Sequence, residues 1–272
     1  VNLRKKWNKP KDLNKTLYLK WMAVAAQIQQ RNEILNQRCV ELQNMLSSAG
    51  IRSSILKGQG IAILYGEHLR EFRQSGDIDV YVDCGRRRVI RYLRSIEKSN
   101  FEWDFVHTHI RLFNDIDVEL HHRLSVFHSL FKNSLLQRFF KKYNDLIFAG
   151  CVQLPNNVGT IVVPQGWINL LYLIQHAYRH LLTEGLGLRQ VMDIYFVLIN
   201  LQLNKEEIEL LRNSIRSLGL ERFSSGLLWI LVSVLGMPNE IPFISLNQSE
   251  GEFLLSEIMQ SGNFGYKDSR FG

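Results

Sequence analysis

The 272-residue chain has few cysteines, few prolines and no long hydrophobic run. Its three cysteines, Cys39, Cys84 and Cys151, are odd in number, far apart and form no CxxC pair. Neither a disulfide framework nor a cysteine zinc site is suggested, and a reducing compartment fits. Five prolines beside long apolar stripes at helical spacing argue for a helix-rich fold. No apolar run approaches the roughly 18 residues of a membrane span. The start, Val1 to Trp7 with Arg4, Lys5 and Lys6, leads into no signal-type hydrophobic region. A cytoplasmic protein without membrane contact is expected. The end, Phe264 to Asp268 and on to Gly272, shows no evident terminating element, as in a trimmed sequence. A P-loop GxxxxGK, a GxSxG elbow, a kinase HRD set, an HExxH and a HisAsp pair are all missing, so the main alternative enzyme classes go without their signatures.

The composition present, 46% hydrophobic and 22% charged, describes a globular chain. Lysine and arginine number 33 against 26 acids, a net charge of +7. That surplus leans towards nucleic acid or nucleotide phosphates but equally suits a merely basic surface. Trp21, Ile28, Leu35 and Leu42 recur every seven residues and predict a long amphipathic helix over 13–47. Ile51 to Leu56 reads as a strand, Lys57-Gly58-Gln59-Gly60 as a turn, and Ile61 to Tyr65 as a short helix. A second strand follows Gly76 through Val82. Val89, Ile90, Leu93 and Ile96 predict a helix with Arg86, Arg87, Arg88, Arg91 and Arg94 outside. Strand-like runs at Phe101–Phe105, His109–Phe113 and Asp117–Leu120 come next, the last two joined at Asn114-Asp115 as a hairpin. A helix is expected from Ser125 through Lys142, then a hairpin around Pro155-Asn156-Asn157, then helices from Pro164 on. The expected class is α+β, a small mixed β-sheet core with an N-terminal helix and a C-terminal helical domain. Its boundaries fall at 1–48, 49–125, 126–163 (connecting helix and hairpin) and 164–272.

The chemistry-bearing segment is Gly76-Asp77-Ile78-Asp79-Val80-Tyr81-Val82. Side chains alternate along a strand, so Asp77 and Asp79 share a side with Cα atoms roughly 6.5–7 Å apart. Such a pair can hold divalent metal, although a bare DxD also serves to charge a strand edge. Gly58-Gln59-Gly60 with an acid 19 residues on imitates a dinucleotide fingerprint. Ile63 occupies its third glycine position, and the acids open their strand instead of closing it, which argues against that reading. His176 and His180 lie one helical turn apart, a zinc-capable spacing; hydrogen bonding within a helical bundle is the preferred reading.

Leu56-Lys57-Gly58, Tyr65, Arg73, the DxD and Val118-Glu119-Leu120-His121 together resemble the NTP_transf_5 nucleotidyltransferases, a bacterial family within the superfamily typified by DNA polymerase β. The resemblance covers about residues 50–125 and extends more loosely to His176, His180, Arg189 and Asp193. It implies transfer of NMP from an NTP such as ATP to an acceptor hydroxyl, with Mg2+ or Mn2+ held by Asp77, Asp79 and Glu119. Asp117, on the same strand face as Glu119 and His121, is the alternative third carboxylate. Lys57, Gly58, Gln59, Gly60 and Arg73 would hold the triphosphate, with His180 and Arg189 facing the nucleotide. The usual GlyGly or GlySer of the superfamily is here Lys57-Gly58-Gln59-Gly60. The acceptor is left open among RNA, with tRNA suiting the basic charge, protein and small molecules. An antitoxin or operon partner is a further expectation, since some relatives on this fold are toxins. The competing reading is a non-catalytic nucleotide-binding or regulatory module, against which the intact Asp77, Asp79 and Glu119 argue.

Overall fold

A computed structural model describes residues 14–98, 100–238 and 243–261; the basic start and the segment Phe264 to Asp268 lie outside them. Helix α1 (Lys15–Ser48) opens at Asn14, whose side chain accepts from the Thr16 amide at 2.8 Å, as an N-cap should. Leu35, Cys39, Leu42 and Leu46 are buried, but Trp21 and Val24 of the same expected stripe are 55% and 52% exposed. At 1.5 Å per residue the helix runs roughly 51 Å, and its first half extends past the core.

The chain then builds β1 (Ser53–Ile55), α2 (Gln59–Ala62), β2 (Ile78–Val82), α3 (Arg86–Ser95), β3 (Phe101–Trp103), β4 (His107–Ile110) and β5 (Val118–His121). The five strands form one sheet in the order β1-β2-β5-β4-β3, with β2 and β5 parallel and the other neighbours antiparallel. Even-numbered residues of β2 and β5, Ile78, Val80, Val82, Val118 and Leu120, are buried at 2% exposure or less. They pack in one core with Leu35, Leu42, Leu46 and Leu93. The odd-numbered residues therefore face the other way. Strand β4 begins two residues earlier than expected, because the Asp104 carboxylate accepts from the Val106 and His107 amides at 2.6 and 2.8 Å and turns the chain there.

The second half comprises α4 (Leu130–Lys142), α5 (Asn144–Ile147), the hairpin β6 (Gly150–Gln153) and β7 (Thr160–Val163), then α6 (Gly166–Thr183), α7 (Leu188–Asn200), α8 (Lys205–Ser217), α9 (Glu221–Trp229) and α10 (Gln248–Ser261). A π-helical turn, Ile230–Val234, continues α9. Helix α4 starts five residues later than the apolar pattern suggests. Ser129 caps it, and the preceding backbone is satisfied by side chains instead, with Gln137 donating to the Ser125 carbonyl at 2.8 Å. Leu136 and Phe140 of α4 join Trp167, Leu170, Ile174, Ile194 and Leu227 in a helical core, whereas Leu154, Ile161 and Val163 of the hairpin belong to the sheet core. Among the described residues no single helix is long and apolar enough to cross a membrane.

Gly60 shows how tightly the hairpin closes on the sheet. A Cβ added there would lie 2.8 Å from Val163 Cγ1 and 3.4 Å from the Ile55 carbonyl. Gly60→Ala is expected to cost about 1–3 kcal/mol through overpacking, read as a lower urea midpoint at unchanged slope. An unchanged midpoint would mean that the hairpin yields freely.

Candidate active site

Three pairs of polar residues, each two apart in sequence, lie side by side on the sheet: Asp77 and Asp79 entering β2, Glu119 and His121 on β5, and His107 and His109 on β4. The registers align them, with Asp79 opposite Glu119, Glu119 opposite His109, and His121 opposite His107. These residues line a cleft of about 360 Å3 between the sheet and the helical half, which supplies His176, His180, Arg189 and Asp193.

Lys57 leaves the end of β1 and places Nζ 3.0 Å from Asp79 Oδ2 and 3.2 Å from His176 Nε2. His121 Nε2 lies 3.0 Å from Asp79 Oδ1 and 3.3 Å from Glu119 Oε2. Burial by itself would raise the pKa of Asp79, but Lys57 and His121 hold it well below the usual carboxylate range. Burial would likewise lower Lys57, yet the carboxylate of Asp79 keeps it above its ordinary value. His121 is raised against its burial by Asp79 and Glu119. Asp77 opens on the cleft, yet the surrounding walls strip enough water from its carboxyl, with the Asp79 charge beside it, to push it up to about 6. Burial and the neighbouring Lys57 drive His176 well down, so its neutral ring can accept from the Lys57 ammonium. His107 is lowered to about 4 by burial and by His121.

The sequence candidates divide between the cleft and its supports. Asp77, Asp79, Glu119, Lys57, Gly58, His180 and Arg189 all line the cleft. Gly58 takes φ 53° and ψ −115°, which glycine adopts without strain. Gln59 turns away, its amide donating to Asn36 Oδ1 at 2.6 Å and to the Asn32 carbonyl at 3.3 Å, and Gly60 is packed under β7. Neither lines the cleft, because α2 starts at Gln59 and buries both. Arg73 is 7% exposed; its Nε and Nη2 donate to Asp193 at 2.8 and 2.7 Å, and Nη1 donates to Ser75. Tyr65 adds a hydroxyl to Asp193 Oδ1 at 2.7 Å. Arg73 also lines the cleft, and its hydrogen bonds to Asp193 tie the loop before Asp77 to α7. Arg189 donates to the Gln74 carbonyl of the same loop at 3.1 Å. Asp117 lies outside, 3.2 Å from Arg111 Nε, and it is Glu119 that meets Asp79.

Sequence reasoning missed His107, His109 and Asp104. The HxH spacing at 107–109 was a usable signal, since period two puts both rings on one strand face; Asp104 carried none. The donor set fits a hard divalent ion: Asp77, Asp79 and Glu119 offer carboxylate oxygens on one face of the sheet. Both Asp79 oxygens are met by cationic groups, which marks a position where positive charge is favoured.

A family model described as an uncharacterised nucleotidyltransferase, NTP_transf_5, matches residues 4–236. A search of curated proteins found no match. Among solved structures, an antigenic nucleotidyltransferase-like protein from Paracoccidioides brasiliensis aligns at TM-score 0.42 and 14% identity, over 83% of this chain and 96% of that one. A CCA-adding enzyme in complex with CTP aligns at TM-score 0.34 and 14% identity, over 90% of this chain but only 62% of the other. A tRNA nucleotidyltransferase complexed with a primer tRNA and an incoming ATP analog aligns at 0.29 and 14%, over 82% of this chain and 62% of that one.

Proposed function

The chain belongs to the NTP_transf_5 family of nucleotidyltransferases, and from that premise we propose that it transfers NMP from an NTP to an acceptor hydroxyl, using Mg2+ or Mn2+ and releasing pyrophosphate. The observation that carries this reading is the register of Asp79 opposite Glu119, with Asp77 one strand step ahead and Lys57 beside them. Asp77, Asp79 and Glu119 would hold the ion, which when bound neutralises triphosphate charge and polarises the acceptor oxygen. Lys57 supplies an ammonium for the anionic chain. Gly58 leaves the backbone open beside Ser75, so that a phosphate can approach main-chain amides. Asp77, exposed at the cleft, is placed to take the acceptor's hydroxyl proton on its carboxylate. Arg189 and His180 close the side facing the nucleotide. A cytoplasmic location goes with use of the NTP pool.

For the acceptor we favour RNA, because of the surface flanking the cleft. Trp103 and Phe105 are 52% and 57% exposed on either side of Asp104, which lines the cleft. The Arg86 guanidinium lies 4.0 Å over the Trp103 ring and that of Arg123 lies 3.7 Å over Phe105. Arg87, Arg91 and Arg94 of α3 are exposed nearby in sequence. Aromatic faces bearing arginines stack bases at about 1–3 kcal/mol each, and the arginines add salt-dependent affinity for phosphate.

Incubating the protein with each labelled NTP, magnesium or manganese, and fractionated cell extract is the test. Label is expected in RNA. The double change Trp103→Ala with Phe105→Ala should weaken RNA binding by about 30-fold to 20,000-fold, in keeping with two lost stacks. Label in protein or small molecules would overturn the RNA reading alone. NTP binding without transfer to any fraction would instead leave a nucleotide-binding module.

A further inference from the structure

Nucleotidyl transfer as proposed uses the carboxylate end of the strand array, with His121 supporting Asp79, and leaves His107 and His109 without a task. His107 and His121 are 7% and 3% exposed, and each has a buried Nδ1 without a hydrogen-bond partner. Their Nε2 atoms converge on Glu119 Oε2, at 3.5 Å from His107 and 3.3 Å from His121. One donor atom from each of these three residues lies within 4.8 Å of the other two. With metal–donor bonds of about 2.0–2.1 Å, tetrahedral ligands stand about 3.3 Å apart, so two of the spacings already match. His109 adjoins, with Nε2 2.6 Å from His107 Nε2 and Nδ1 3.3 Å from Glu119 Oε1. Asp104 Oδ1 lies 3.5 Å from His107 Nδ1, where a carboxylate behind a ligating histidine orients its ring.

We propose that His107, Glu119 and His121 form a site for a transition-metal ion of the Zn2+ class, with His109 completing it and Asp104 orienting His107. Imidazole nitrogen suits zinc, whereas magnesium keeps to carboxylate, phosphate and water oxygen. The sheet face is thus graded, from oxygen donors at Asp77 and Asp79 to nitrogen donors at His107 and His109, and Glu119 belongs to both ends. The inference adds a second ion to the proposed active site and rests on that reading only through Glu119. The pair His176 and His180 is a poorer site, since their Nε2 atoms already engage each other at 2.9 Å, that of His176 also engages Lys57 at 3.2 Å, and no third donor is grouped with them among the described residues.

The test titrates Zn2+ alone into the intact chain by calorimetry, with Co2+ followed by visible absorption. One Zn2+ per chain is expected, retained in a hundredfold excess of Mg2+, and a Co2+ band of low-coordinate character. His107→Ala and His109→Asn should each lower Zn2+ affinity at least tenfold, while His180→Ala leaves it unchanged. His109 is half exposed, so its replacement keeps the test valid if the His107 variant does not fold. Absence of Zn2+ binding, indifference to both His107 and His109, or loss of binding in His180→Ala would each overturn the site. No nucleotide is present in the titration, so failure of the transfer reading and failure of this one are distinguishable.

Discussion

Asp77→Asn is expected to lower nucleotidyl transfer about a thousandfold with little change in melting temperature. A thousandfold is ~4 kcal/mol of transition-state stabilisation, the scale on which a metal-binding carboxylate acts. Asp77 is exposed at the cleft, so an isosteric amide there disturbs little of the fold. Asp79→Asn provides the contrast. It should abolish transfer and also lower the melting temperature, because the Lys57 ammonium and the His121 ring, each 3.0 Å away, lose their buried counter-charge. Comparing the two separates chemistry from folding. Turnover in Asp77→Asn within tenfold of the parent protein would remove that carboxylate from the reaction.

Asp193→Ala is expected to produce the largest loss of stability. It strands the Arg73 guanidinium, whose side chain is 5% exposed, without the bidentate partner that offsets its desolvation. Breaking a buried pair from one side costs about 3–5 kcal/mol, or roughly 6–20 °C in melting temperature for a chain of this size. Tyr65 also loses the acceptor of its hydroxyl hydrogen bond, which works in the same direction. Replacing both partners by apolar residues, Arg73→Met with Asp193→Leu, should recover most of the stability, since the penalty comes from the orphaned charge. Thermal unfolding followed by circular dichroism reads both variants. Recovery of stability without recovery of transfer is expected in the double variant, because the pair also ties the loop before Asp77 to α7. A melting temperature within 2 °C of the parent in Asp193→Ala, against the roughly 6–20 °C expected, would show that water reaches Arg73.

Much of the architecture was legible because it is local. The heptad-like spacing of Leu35 and Leu42 marks α1, and the alternation in Asp77 to Val82 marks β2 with its two faces. The hairpin around Pro155 is written in turn residues, with Asn156 and Asn157 both at positive φ. Where reading by pattern fell short, a side chain had taken over a backbone's hydrogen bonds. Asp104 moved the start of β4, and Ser129 with Gln137 delayed α4. The stripe that includes Trp21 looked like core because periodicity records which residues share a helix face but not how far the opposing surface extends.

By itself the sequence determined that an acidic pair stands on a strand behind Lys57-Gly58, because a two-residue period fixes facing wherever the strand goes. Only the tertiary structure decided what stands beside that pair. Strands β2 and β5 are parallel neighbours about forty residues apart in sequence, and their register matches Asp79 with Glu119, while the Asp117 side chain meets Arg111 instead. The pairing of β4 with β5 carries His107 and His109 to the site, and α1 and β7 enclose Gln59 and Gly60. Strand order and register arise from closing a common core across long stretches of chain. No spacing within one segment encodes them.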